Sequence, residues 1–233
     1  VLLDPVRATL GEPERLTFGG SVEDAPSADA AGRVAYADLT WNFDLWSLPV
    51  STLDARVTGA PVRLTDTPAA ESFPSLSRDG RRLAFLSARG PQTDLWLRDL
   101  HSGESTRLLS AETSVLGGAW VSLDGSTVAY TLGKDGRSQM HTIAASGGLP
   151  RRLTDEDRSV LRWTPSGGIV HFVNVGTGSG SGTVAVIEPR SLTSRVLLEA
   201  LSFTPFQLSF SPDERWITSV RRVARSSMSR LAP

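Results

Sequence analysis

Arg-Leu-Thr recurs along this chain at a near-constant interval. It stands at Arg15-Leu16-Thr17, Arg63-Leu64-Thr65 and Arg152-Leu153-Thr154, with diverged copies at Arg107-Leu108-Leu109 and Arg195-Val196-Leu197. The central position falls at 16, 64, 108, 153 and 196, in steps of 48, 44, 45 and 43 residues. Self-similarity at a fixed period means one supersecondary unit copied along the chain. Beyond each copy lies a second signature, a strand, a turn and a strand. It is clearest at Phe73-Pro74-Ser75-Leu76-Ser77-Arg78-Asp79-Gly80-Arg81-Arg82-Leu83-Ala84-Phe85, with relatives that open at Ala25, Ala119, Arg162 and Ser209. Asp-Gly between apolar runs marks a tight hairpin, because the turn needs positive φ and glycine accepts it without strain. A third signature closes the unit: Asp44-Leu45-Trp46-Ser47-Leu48 matches Asp94-Leu95-Trp96-Leu97-Arg98, with weaker copies at Gln139–Ile143 and Ser227–Leu231. Its alternation has period two, as in a half-buried strand.

Each unit therefore reads as four short strands in a meander, and no segment sustains helical periodicity. A lone unit of this kind cannot bury its faces, so neighbours must stack, and radial stacking leaves only short protected edges. The expected fold class is all-β, a β-propeller of four-stranded antiparallel blades, with five blades visible. The blades are expected over 21–65, 70–109, 113–154 and 158–198, with 205–233 completed by 13–17, in a single domain over 1–233. Two counts stay open. Pro13–Thr17 closes a five-bladed ring as its outermost strand, or the chain is cut from a six- or seven-bladed ring. The second count rests on Leu3-Asp4-Pro5 through Gly11 and Arg15-Leu16-Thr17, which parallel Leu48-Pro49-Val50 through Gly59 and Arg63-Leu64-Thr65.

Composition excludes several function classes. The 233 residues carry a net charge of −1, which gives no general attraction to nucleic acid or anionic lipid. There are no cysteines, so disulfides, thiolate metal sites and a cysteine nucleophile are excluded. No stretch approaches the roughly 20 apolar residues that span a bilayer as a helix. Direct membrane insertion is not expected. Lys134 is the single lysine among the basic residues, a bias that suggests a GC-rich bacterial genome.

The run of Arg-Leu-Thr, then Pro-Ser-x-Ser-x-Asp-Gly-Arg-x-x-Ala-Phe, then Asp-Leu-Trp resembles the WD40-like repeats of TolB-type propellers. It is also similar to propeller modules attached to bacterial kinases and winged-helix regulators. The resemblance covers nearly the whole chain; it is specific for a fold and poor for a function. It implies a non-enzymatic scaffold or sensor module that binds a protein, peptide or other ligand, in the periplasm or elsewhere outside the cytoplasm, with the cytoplasm as the other possibility. The alternative it implies is the substrate-gating propeller of a multidomain prolyl-oligopeptidase or tricorn-type serine peptidase.

No catalytic residues, cofactor or metal site are expected. His101 adjoins a Ser-Gly turn, and His141 and His171 lie in strands where either face is open to them. Gly178-Ser179-Gly180-Ser181-Gly182 looks like a nucleophile elbow but has no following helix, so it reads as a flexible hairpin loop. Asp79, Asp124 and Asp213 stand in tight turns, where an Asp side chain bonds its own backbone. The tryptophans mostly fill repeat-equivalent strand positions, which points to packing between blades. If a ligand site exists, the loops entering each innermost strand gather at one mouth of the channel. The binding candidates there are Glu23, Glu71, Arg158, Arg162, Trp120, Trp163 and Phe206.

Overall fold

The computed structural model describes residues 3–4, 9–10, 22–29, 33–39, 42–51, 53–54, 56–89, 93–109, 115–134, 136–154, 157–174, 182–201 and 205–221. The strand expected at Pro13–Thr17, the tryptophan at position 41, Gly176–Ser181 and the strand at Ser227–Leu231 lie outside them. The regular structure of the described residues is entirely β-strand. The chain divides into two compact units, Val1–Asn42 and Phe43–Pro233.

In the first unit β1 (Leu3–Asp4) pairs antiparallel with β2 (Thr9–Leu10), and β3 (Val22–Ala28) with β4 (Val34–Leu39). The second unit opens with β5 (Trp46–Ser47) against β6 (Val62–Arg63). Three four-stranded antiparallel meanders follow. One comprises β7 (Ala70–Leu76), β8 (Arg82–Ala88), β9 (Asp94–Asp99) and β10 (Ser105–Leu109). The next comprises β11 (Val115–Val121), β12 (Thr127–Lys134), β13 (Arg137–Ala144) and β14 (Arg151–Arg152). The third comprises β15 (Arg158–Trp163), β16 (Ile169–Asn174), β17 (Gly182–Ile187) and β18 (Ser194–Leu201). Then β19 (Pro205–Phe210) pairs with β20 (Ile217–Arg221).

The repeat signatures have local chemical reasons. The arginine of Arg-Leu-Thr stands opposite the tryptophan of Asp-Leu-Trp: Arg63 pairs with Trp46, and Arg107 with Trp96. Each arginine also reaches the aspartate of the facing strand, Arg63 to Asp44 at 2.6 Å and Arg107 to Asp94 at 3.5 Å. Exposed pairs of this kind add little stability, but opposite charges across two strands favour this register over a slipped one. Thr65 accepts the Leu45 N–H on its hydroxyl at 2.8 Å, tying the signature threonine to the same neighbour.

The hairpin turn repeats as a closed set of hydrogen bonds. Ser77 donates its hydroxyl to Asp79 at 2.5 Å and accepts the Arg82 N–H at 2.9 Å, while Asp79 accepts the Arg81 N–H at 3.0 Å. Ser122, Asp124, Ser126 and Thr127 repeat the pattern, as do Ser211, Asp213, Arg215 and Trp216. The serine hydroxyl, first, and then the backbone N–H hold each of these three carboxyls below the usual aspartate range. Gly80 has φ +69° with nothing within 4 Å of where a Cβ would sit, so its requirement for glycine is conformational alone.

The core lies between consecutive sheets, and period-two alternation builds it. On β8, Leu83 and Phe85 join Leu45 in one cluster, while Ala84 and Leu86 face the other way into a cluster with Val121, Val128 and Tyr130. On β12, Val128 and Tyr130 share that cluster, while Ala129 packs with Val160, Ile169 and Ile187. On β16, Ile169 faces back, and Val170 and Phe172 face forward to Leu208. Strands buried on both faces read as continuous apolar runs, and complete burial of each Leu or Phe contributes about 1.5–3 kcal/mol. Two tryptophans depart from the packing expected of them. Trp46 is 59% exposed and Trp216 72%, Trp46 on a strand of two residues and Trp216 at the end of a turn.

Two outcomes follow. Gly80→Val forces a β-branched residue to positive φ and should lower unfolding free energy by about 1–2 kcal/mol or more, read by urea titration. The turn carboxyls titrate lower in the folded chain than unfolded, near 3.9. Their stabilisation is therefore complete at neutral pH and is lost as pH falls below about 4. Asp79→Asn, Asp124→Asn and Asp213→Asn combined should flatten the acid limb of melting temperature against pH.

Candidate functional site

The first strands of the sheets run next to one another: β7 beside β11, β11 beside β15, and β15 beside β19. Each breaks register with its second strand. The shift falls between Ser72 and Ser75 on β7, Leu116 and Ala119 on β11, Val160 and Arg162 on β15, and Pro205 and Gln207 on β19. β3, in the other unit, shifts between Asp24 and Ser27. Such bulges twist a strand and re-aim its side chains, and they accept proline and glycine. They explain Phe73-Pro74 and Gly117-Gly118. A Cβ on Gly118 would come within 2.9 Å of the Trp120 ring, so the glycine is what lets that ring lie along its own strand. Phe73 has φ +54° and stays 42% exposed. A non-glycine residue in this region is a strained feature of the kind found at ligand-contacting positions. Sequence reading missed it, although a Phe-Pro pair inside a strand was a signal for a bulge.

Three of the candidate residues meet. Trp163 donates its indole N–H to the Trp120 carbonyl at 2.7 Å. The Arg162 guanidinium lies over the Trp120 ring, 5.5 Å from its centre. The same guanidinium donates to the Leu208 carbonyl and to the Ser209 hydroxyl, each at 2.6 Å, and burial pulls its pKa below the ordinary arginine value. The cluster thus links β11, β15 and β19. Further links between sheets run from the Val121 N–H to Ser75 at 3.1 Å and from the Val160 N–H to Thr131 at 2.9 Å.

The other candidates lie elsewhere. Arg158 opens β15, half-buried, opposite Val173. Phe206 stands at the β19 register shift, and Glu23 pairs with Asp38 on β3 in the first unit. Glu71 is buried on β7 and lines a cleft of about 440 Å³ with Thr65, Thr67, Arg89, Arg98 and Ser105. Its Oε1 accepts from Thr67 at 3.0 Å and Ser87 at 3.5 Å and lies 3.6 Å from Arg89. Arg89 in turn covers the Trp96 ring at 4.0 Å. A second cleft, of about 650 Å³, is bordered by Asp124, Thr142, Arg151, Trp163, Glu188 and Arg190.

The strand histidines both face inward. His141 stacks on Tyr130 with ring centres 5.8 Å apart, and burial lowers its pKa. Tyr130 is fully buried, which pushes its phenol up to about 12. His171 is fully buried, its Nε2 3.4 Å from the Ser194 hydroxyl. Among the described residues, no group of three or more His, Asp or Glu side chains is placed to hold a metal ion. No helix among them is long and apolar enough to cross a membrane.

No family model matches the chain. The chain is 26% identical over 157 residues to the uncharacterized peptidase YuxL of Bacillus subtilis (strain 168), a match covering 62% of this chain and 22% of that protein. TolB from Acinetobacter baumannii superposes with a TM-score of 0.58 at 19% identity, over 83% of this chain and 44% of TolB. A chain of a nidogen/laminin complex superposes with a TM-score of 0.61 at 14% identity, over 76% of this chain and 66% of that one. The fold is that of the TolB-type β-propeller. The chain spans less than half of that TolB and under a quarter of YuxL.

The Trp120–Arg162–Trp163 cluster gives a stability test. Trp163→Phe leaves a carbonyl without its donor and should cost about 1 kcal/mol; Arg162→Ala, which removes charged bonds, should cost about 2–3 kcal/mol. Both residues act on Trp120, so a double-mutant cycle in urea should show coupling of at least about 0.5 kcal/mol.

Proposed function

We propose that this chain is a binding module, a non-enzymatic propeller that docks a protein or peptide partner along its bulged first strands. One observation carries the reading. The polar groups there that chemistry would need are already engaged in joining sheets: Arg162 on Leu208 and Ser209, Trp163 on Trp120, Thr131 on Val160. What the first strands offer outward is shape and apolar area, with Phe73 and Leu116 exposed and Arg158 half-buried. Aromatic and arginine anchors are what protein interfaces enrich. TolB likeness supports the same reading at the level of fold, and with it an extracytoplasmic location. Phe206, at the β19 register shift, enters this reading as a candidate rim residue.

A second reading has a specific observation behind it. Identity to the peptidase YuxL over 157 residues supports a propeller that gates a separate catalytic region. Flanking sequence separates the two: a hydrolase region with a nucleophile elbow favours gating, and a kinase or winged helix favours the binding module.

The binding reading is tested by photo-crosslinking from position 73 and, for comparison, from exposed Leu192 at the β17–β18 turn, in cells that express the protein natively. A defined partner captured from 73 and not from 192 is expected. Turnover of a peptide substrate by the purified chain, lost on one first-strand substitution, would overturn it.

A further inference from the structure

The cleft of about 650 Å³ opens between the sheet of β11–β14 and the sheet of β15–β18. The repeat explains why it opens there. One sheet earlier, the turn glycine Gly125 is covered from the preceding sheet: a Cβ on it would lie 3.2 Å from the Arg82 side chain. Thr127 holds the place of Arg82 in its own turn, since Arg82 gives its N–H to Ser77 and Thr127 gives its N–H to Ser122. Gly167 holds the place of Gly125, each donating its N–H to the carbonyl three residues before it. A Cβ on Gly167 would meet nothing within 4 Å. A threonine stands where the repeat has an arginine, and the space that the longer side chain fills is left open.

The accessible groups on the lining follow an order set by the sheets, each of which runs from its first strand to its fourth. Trp163 ends the first strand, β15, and is half-buried like its neighbour Pro165. Glu188 is exposed and directly follows the third strand, β17. Arg151 lies on the fourth strand, β14, and Arg190 in the turn before the fourth strand, β18; both are exposed, one from each sheet. Neither arginine has an ion-pair partner among the described residues. The other carboxylate on the lining, Asp124, is taken up by Ser122 and Ser126. Strands lie about 4.8 Å apart, so about 14 Å separates the aromatic end from the cationic end.

A bare anion would use the guanidiniums alone, with Glu188 opposing it, and a neutral aromatic would use the ring alone. A molecule with a flat ring, then hydroxyls, then an anion meets all three in order. Aromatic side chains stack any base, a carboxylate accepts from ribose hydroxyls, and arginine matches phosphate oxygens. The volume falls within the range of small-molecule sites, about 300–1,000 Å³. We propose that the cleft binds a nucleoside monophosphate, its base on the Trp163 ring, its ribose hydroxyls on Glu188 and its phosphate between Arg151 and Arg190. This site stands whether or not the bulged first strands dock a partner.

Calorimetry on the whole chain tests it, with AMP, GMP, CMP and UMP as probes and adenosine, ribose 5-phosphate and inorganic phosphate as controls. At least one nucleotide should bind about tenfold more tightly than every control, and Arg151→Gln and Arg190→Gln should each weaken it about fivefold or more. Both arginines are exposed, so neither variant threatens the fold. Thr127→Arg restores the side chain that fills the preceding interface and should abolish binding, with circular dichroism showing the chain still folded. The proposal is overturned if no nucleotide binds up to about 10 mM, if a control binds equally well, if neither arginine variant weakens binding, or if folded Thr127→Arg binds as the parent does.

Discussion

Each of the three four-stranded sheets in the second unit has two faces to bury, and each of those faces packs against a neighbouring sheet. That requirement organises the rest. Leu83 and Phe85 alternate with Ala84 and Leu86 on one strand, and both pairs are nearly inaccessible. Their burial needs a sheet on either side, so no unit is stable alone, and apolar area rather than any single bond holds the stack. The polar links between sheets then choose one stacking geometry. Arg162, Trp163, Ser75 and Thr131 each reach a backbone group of the adjacent sheet, where a shift would leave a carbonyl or an N–H unsatisfied.

Within a sheet, the local devices are cheap and repeated. The Ser-x-Asp turn closes the first hairpin with three hydrogen bonds and a positive-φ residue. Where the repeat departs from glycine, Glu214 takes φ +55° and its carboxylate reaches the Ser166 N–H of the preceding sheet at 2.5 Å. A local strain there is offset by a contact between sheets. The Asp–Arg pairs on the third and fourth strands work at the opposite edge, where water weakens them and register is their main effect.

These two levels bear on function. Residues that look reactive in isolation, two inward histidines, a buried tyrosine and an arginine over a tryptophan, are used for packing and for joining sheets. The exposed bulge at Phe73 and the Glu71–Arg98 cleft are the places where structure exceeds what stacking asks for. The bulge offers a strained, accessible aromatic, and beside the cleft two buried polar atoms, Glu71 Oε2 and Arg98 Nε, have no protein partner. Both lie on or beside β7, whose sheet carries the clearest copies of the repeat signatures.

The sequence by itself determined the repeat, the four-stranded antiparallel meander, the turn chemistry at Asp79, Asp124 and Asp213 and the TolB-type fold class. All of these follow from short-range pattern: alternation with period two, Asp-Gly turns and a fixed interval. The tertiary structure decided which candidate residues meet. Trp120, Arg162 and Trp163 converge because neighbouring first strands align, a relation between positions 43 residues apart that no local pattern encodes. Glu71, grouped with them as a rim residue, is instead buried beside Arg89 and Arg98, because the side of a strand on which a bulge leaves each residue depends on the partner strand. Trp46 and Trp216 were legible as repeat positions but not as exposed ones. Repeat position records a residue's place within its blade, whereas exposure depends on what the neighbouring sheets cover.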